Sequence, residues 1–284
     1  MIDPDALMAR EFPVIDHSYN SKDCILYALG LGLGTDPLNR SHLRATYERA
    51  EGFGALPAMV NVIGYPGFWA MEPDTGLTWQ QILHGEQSLT LHAPLPAQGT
   101  LSGKLKITGI IDKGADKGAL IYSERDLTDK ATGVHVATVA STTFARADGG
   151  FGGASGPVKP VHTLPDTTPQ TVFDFQTPEN AALIYRLSGD FNPLHADPDV
   201  AAQVGPLPSR AALPARSCMV CARWAWRRGQ SPRRWRRVIS RPFATCNCVF
   251  PRLSIPARRS APRCGARGTR SVSARASWSV ILSC

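Results

Sequence analysis

From Val200 to Cys284 the chain contains no lysine, no aspartate, no glutamate and no histidine; its charged side chains there are 17 arginines. Any acid–base or metal chemistry that needs a carboxylate or an imidazole must therefore lie before residue 200. No apolar run is long enough to span a bilayer. The opening MIDPDALMAREFPV carries acids and no continuous apolar stretch, so no secretory leader is expected. The end, SVILSC, fits no prenylation or peroxisomal address, and the expected location is cytoplasmic. Cysteine is scarce in the first 200 residues, where Cys24 stands alone, while six more crowd the remainder.

What is present divides in two. The formal net charge of +8 hides an acidic part, with 14 basic against 23 acidic residues up to Asp199, and a tail of +17. Residues 22–34, KDCILYALGLGLG, read as a short helix ending in glycines. LPAMVNVIGY (56–65) is apolar and β-rich. Residues 79–114 and 119–153 alternate apolar and polar positions between Pro/Gly breaks, as half-buried antiparallel strands do, with a turn near Lys130–Gly133. A Pro/Thr-rich linker follows at 156–170. A new unit then opens with TPENAALIYRLSGDFNPLH: Thr177 caps a helix from Pro178 and Glu179, buries Ala181, Leu183, Ile184 and Leu187, and stops at Gly189.

The bend beyond that helix sets Asp190, Asn192 and His195 within six residues. A carboxylate and an imidazole on one turn can share a water and move its protons, which suits adding water to a polarised double bond or removing it. Spacing alone favours an Asx turn in which Asp190 and Asn192 cap backbone amides and His195 lies at the surface. A metal site lacks ligands: one His and one Asp do not make one.

The full stretch YRLSGDFNPLHADPDVA (185–201) is more specific and resembles the signature of the MaoC-like, hydratase 2 family of (R)-specific enoyl-CoA hydratases. YALGLG (27–32), YE (47–48), LHGEQ (83–87), PLPAQG (94–99), DKG (112–114) and RADGGFGG (146–153) follow the order of its long, two-repeat members. The resemblance implies an α+β double hot-dog fold, in which each of two repeats is a helix wrapped by an antiparallel sheet. It also implies interconversion of trans-2-enoyl-CoA and (3R)-3-hydroxyacyl-CoA without a cofactor, coenzyme A being part of the substrate. Carried over, Asp190 and His195 are the acid–base pair and Asn192 supports them. His84, Gly85, Lys113 and Gly189 make up the substrate-binding set. A lysine suits the phosphates of coenzyme A. Glu48 is read as structural. A homodimer is compatible with the family, and no membrane partner is expected.

After the bend the family continues with a segment like PILHGLCTLGVA, whose glycine N–H serves as oxyanion donor by that resemblance. Such a donor contributes about 3–4 kcal/mol to lowering the barrier. This chain has ARSCMVCARWAW (215–226) instead. Codons read one register over restore the missing segment: Met219 followed by Val220 must give Gly, and Trp224 followed by Ala225 must give Gly. The shifted register can spell ILHGL, then Cys or Arg, and then the second glycine at family spacing. The expectation is a slip of the reading frame between about Val200 and Arg216. The domains expected are then a first hot-dog repeat on the acyl-chain side (1–155), a linker (156–170), the start of the hydratase repeat (171–205), and an Arg/Cys/Trp-rich tail (206–284). The second repeat is expected to be incomplete or disordered after about residue 205. The alternative is a non-catalytic acyl-CoA-like domain with a basic tail. RRGQSPRRWRR (227–237) would bind nucleic acid or another polyanion nonspecifically. Cys218 and Cys221 invite a zinc reading that fails for want of histidine and of a second C-x-x-C.

Overall fold

A computed structural model of the chain describes residues 2–36, 38–158, 180–193, 196–203 and 244–249. His195, the helix start at Thr177 to Glu179, most of the 156–170 linker and most of the 206–284 tail lie outside them. Among the described residues no helix is long and apolar enough to cross a membrane.

The elements run α1 (Pro4–Met8), β1 (Ile15–Tyr19), α2 (Ser21–Gly30), α3 (Arg40–Thr46), β2 (Ile82–Leu91), β3 (Gly99–Asp112), β4 (Ala119–Asp129), β5 (His135–Ala145), α4 (Ala181–Arg186), α5 (Pro198–Gln203) and β6 (Ala244–Val249). One antiparallel sheet holds all six strands in the order β1-β3-β4-β5-β2-β6. Alternation dictates the long strands. In β3, Leu101, Leu105 and Ile107 are buried while Lys104, Lys106 and Thr108 are exposed, the period-two pattern of a sheet with one covered face. The β4–β5 turn falls where expected. Asp129 Oδ1 accepts from Ala131 N at 3.0 Å and Thr132 N at 2.8 Å, and Gly133 supplies φ +72°.

The helix expected over 22–34 is α2. Its cap is reciprocal: Asn20 Oδ1 accepts from Lys22 N at 2.8 Å and Asp23 Oδ2 from Asn20 N at 2.9 Å. The 56–65 stretch differs from expectation. It holds a 3-10 helix at Pro57–Asn61, with Val60 and Ile63 fully buried. Its β-branched residues reflect burial on every side, and Pro57 opens a helical turn at the position where a missing N–H costs nothing. Tyr27 Oη donates to Ala58 O at 2.9 Å, tying this segment to α2. The segment also sits directly on β3, because Gly64 (φ +61°) meets Gly103: a Cβ added at Gly103 would lie 2.4 Å from Gly64 O.

Strand register shows how the inward face is composed. Across β3, β4, β5 and β2 the aligned rows are Leu105–Arg125–Val139–Leu89, Ile107–Ser123–Ser141–Gln87 and Ile110–Ile121–Thr143–His84. Arg125, Ser123, Ser141, Gln87, Thr143 and His84 thus form a continuous polar band. It separates an apolar cluster on α2, the 56–63 segment, Leu127, Val139 and Leu89 from a second cluster on Ile2, Leu7, Phe12, Trp69, Leu105 and Ile121. Within the stretch expected to be incomplete, Ala244–Val249 pairs with the outer edge of β2.

At the far end of the sheet Asp112 organises the glycine-rich loop. Its carboxylate accepts from Gly114 N, Gly150 N and Gly152 N, each at 2.8 Å. These backbone bonds, led by that from Gly150, hold its pKa below the ordinary 3.8. A depressed carboxylate pKa stabilises the fold above the ordinary value, and the contribution is lost as pH falls through the folded value. The Gly150 and Gly152 amides are accordingly expected to exchange faster as pH drops below about 4, after correction for intrinsic rates. Asp112→Asn should remove that pH dependence. Exchange that keeps its pH dependence in the variant would refute this assignment.

Candidate active site

α4 packs closely on α2. A Cβ added at Gly30 of α2 would lie 3.3 Å from Ile184 Cγ2, and the Tyr27 and Tyr185 rings are 6.1 Å apart. The face α4 buries is Ala181, Ala182 and Tyr185, at 1%, 9% and 3% exposure, whereas Leu183 and Leu187 are 51% and 56% exposed. The expected burial of Leu183 and Leu187 is therefore corrected. The close approach to Gly30 selects the small-residue side of the helix. The described helix begins at Ala181 after Asn180, later than the expected start at Pro178.

The chain leaves α4 through Gly189, with φ +125°, a conformation that L side chains rarely adopt. A Cβ there would also come within 3.2 Å of Val62 O. Gly189 is thus required by the turn and by its seat on the 56–65 segment. Asp190 and Asn192 follow, both half-buried. The two readings of this bend differ in what the carboxylate does. Asp190 Oδ1 lies 3.5 Å from Asn192 N, at the limit of a hydrogen bond. Asp197 is the residue that makes the cap: its Oδ1 accepts from Asp199 N at 2.8 Å, ahead of α5. Asp190 thus makes the weak turn contact to Asn192 N, and Asp197 makes the shorter one ahead of α5.

The charge of Asp190 acts on His84 and on Tyr65. Enclosure pushes the His84 pKa down, and Asp190, the Glu86 backbone and the Gln87 side chain oppose it. Burial pushes the Tyr65 phenol up to about 12, helped by Asp190 and opposed by Arg125. His84 stands at a β-bulge between His84 and Glu86. Gly85 allows it, since a Cβ there would sit 3.1 Å from Thr142 O; such a bulge re-aims the neighbouring side chain.

Of the residues named from sequence, Asp190 acts electrostatically on His84, Gly85 and the pair Gly189 and Asn192 flank them in the chain, and His195 lies outside the described residues. Lys113 stands apart. It lies on a surface depression of about 420 Å³ with Asp112, Gly114, Lys117, Gly153, Ser155 and Val158. β3 is three strands from β2 and Lys113 lies three residues beyond Ile110, the β3 member of the His84 row, which puts Lys113 roughly 17 Å from His84 along the sheet. Glu48 is exposed in the turn after α3. Among the described residues no group of three His, Cys, Asp or Glu side chains is arranged to hold a metal ion.

Sequence reasoning missed Tyr65 and Arg125. Arg125 is 4% exposed; its Nη2 donates to Val60 O at 3.0 Å and Asn61 O at 2.7 Å, and its guanidinium carbon lies 5.3 Å from the Tyr65 ring centre. The signal was present. Alternation in ALIYSERDLTD puts Ser123 and Arg125 on the same face as Ile121 and Leu127.

Comparison with known proteins identifies the family. The MFE-2 hydratase 2 N-terminal domain family matches residues 17–147. The 3-hydroxyacyl-thioester dehydratase Y of Mycobacterium tuberculosis is 39% identical over 209 residues, covering 73% of this chain and 70% of that protein. The peroxisomal enoyl-CoA hydratase 2 of Arabidopsis thaliana is 32% identical over 222 residues, with 71% and 69% covered. Among solved structures, the MaoC-like dehydratase from Phytophthora capsici superposes with a TM-score of 0.67 at 30% identity, covering 87% of this chain and 83% of that one. Relatives this similar over more than two thirds of both chains make the chain a hot-dog-fold member of the MaoC-like, enoyl-CoA hydratase 2 family of hydro-lyases.

Proposed function

We propose that the machinery of this chain is that of an (R)-specific enoyl-CoA hydratase, and that its turnover is impaired by the sequence that follows the bend. The observation that supports the reading is the seating of Gly189 on Val62, with the charge of the next residue, Asp190, acting on His84 and Tyr65. In the forward reaction Asp190 and His195 hold a water between them. The water oxygen bonds to the β-carbon of the trans-2-enoyl thioester, one of its protons passes to the pair, and a proton returns to the α-carbon. Nothing is oxidised or reduced, and no cofactor is called for. Lys113, with Lys117 beside it, would meet the phosphates of the coenzyme A moiety, the pantetheine arm spanning the separation along the sheet. Residues 1–155 are assigned as the first repeat, 156–170 as the linker and 171–205 as the opening of the second.

Impairment follows from what the chain lacks after residue 205. Without the glycine of the HGL-type segment, the enolate oxygen that forms on the thioester has no backbone donor from that segment. The test compares the 284-residue protein with a counterpart whose frame is corrected between codons 200 and 216, using a trans-2-enoyl-CoA and chiral product analysis. Turnover by the corrected chain alone, giving the (3R) product, supports both halves of the proposal. Equal turnover by the 284-residue protein overturns the impairment. A (3S) product, or none from a folded corrected chain, overturns the hydratase reading.

A further inference from the structure

We propose that Arg125 is a positioning residue for the hydration site: it holds the backbone of residues 60–65 in the place on which the Gly189–Asp190 bend is seated. The inference rests on the hydratase reading for its functional meaning and on geometry alone for its mechanical one.

The 3-10 helix Pro57–Asn61 ends inside the molecule, and the last carbonyls of a helix have no partners within it. Arg125 Nη2 supplies both Val60 O and Asn61 O, a use to which arginine near a helix C-terminus is suited. One residue on, the Val62 carbonyl oxygen is the atom that a Cβ at Gly189 would meet at 3.2 Å. Three residues further, Tyr65 stacks on the same guanidinium and lies in the field of Asp190. A single side chain of β4 therefore touches the segment on both sides of the carbonyl that supports the bend.

Filling space does not account for an arginine here. Ile121 and Leu127, on the same face of the same strand, are fully buried and fill theirs with hydrocarbon. A guanidinium in that setting is costly: burial pushes its pKa down to about 10, and its Nε is covered with no hydrogen-bond partner among the described residues. No carboxylate among the described residues forms an ion pair with it. What the charged group adds is two donors aimed at adjacent carbonyls and a flat surface for Tyr65. Methionine would match the volume and supply neither.

The test uses native-state hydrogen exchange on the full 284-residue chain and needs no turnover. The reporters are the Val62 amide, bonded to Met59 O at 3.0 Å, and the Ser188 and Gly189 amides, bonded to Tyr185 O at 3.0 Å and Arg186 O at 3.1 Å. In R125M these amides are expected to exchange at least about tenfold faster, while amides in the β3–β4–β5 ladders change less. R125K, which keeps one donor group, should lie between, and it serves as the test should R125M not fold. In the frame-corrected enzyme the same variants should lower kcat with little change in KM. Exchange that rises equally across the sheet, or fails to rise at the bend, overturns the proposal whatever the catalytic result. Selective exchange with no hydration by the corrected wild-type chain leaves the positioning intact and removes the hydratase reading instead.

Discussion

Asp190→Asn in the frame-corrected chain is expected to lower the hydration rate about a thousandfold, the middle of the range for losing a positioned acid or base. The amide is nearly isosteric with the carboxyl and still offers an oxygen to Asn192 N. The variant should therefore fold with a thermal midpoint within about 2 °C of the parent. What it loses is the group that takes a proton from water. Asp197→Asn is the matched control. Seven residues away, Asp197 spends its carboxylate on the Asp199 amide at 2.8 Å, and its loss should weaken the start of α5 without altering the chemistry of the bend. A fall of similar size in both variants would mean that the segment 189–199 acts only as a cap, and that Asp190 has no proton to move. Kinetics on a trans-2-enoyl-CoA, with circular dichroism melts of both variants, decides between them.

Gly103→Ala is expected to cost about 3 kcal/mol of stability, at the upper end of what overpacking a core costs. The reason is local. The new methyl would meet backbone on the facing segment, with Gly64 O at 2.4 Å, Gly64 Cα at 2.9 Å and Gly64 C at 3.0 Å, rather than the movable end of a side chain. Relief requires the 56–65 segment to lift off β3, and the carbonyl under Gly189 would move with it. Gly109→Ala on the same strand makes the comparison fair. Its Cβ would touch Tyr122 Cδ2 at 3.4 Å, an ordinary contact, so its cost should stay well below that at 103. Urea titrations of both variants at constant m-value read the difference directly. Equal midpoints for the two would mean that the segment does not rest on β3.

Much of this architecture is legible in the residues. Strands β2 to β5 follow from alternation, because one face of the sheet is covered and the other wet. α2 follows from Asn20, its apolar stripe and the glycines that end it. The misread stretches share one physical cause. In 56–65 and along α4, the partner that decides burial is distant in sequence. Val60 and Ile63 are enclosed by α2 and the sheet together, and the side of α4 that packs is chosen by Gly30, some 150 residues earlier. Periodicity reports a face only when one face is buried, and it cannot say which of two apolar stripes meets a neighbour. The site divides the same way. Asp190 and Asn192 are legible as a local cluster and His84 only through family likeness, whereas Tyr65 and Arg125 meet each other only in the fold. Arg125 was hidden by the ordinary prior that arginine in a strand faces water.

The polar band across the inward face also bears on cooperativity. Apolar contact is what makes a domain open all at once, and here it is interrupted: one cluster gathers the N-terminal residues Ile2, Leu7 and Phe12 with Trp69 and Leu105, the other α2, the 56–63 segment and α4. The described fold is thus two small cores sharing one set of strands. The N-terminal core can loosen, peeling α1 from the sheet, while the core that carries the Gly189 bend stays shut. Opening energies should fall into two groups along the chain, with the candidate site belonging to the half that gives way last.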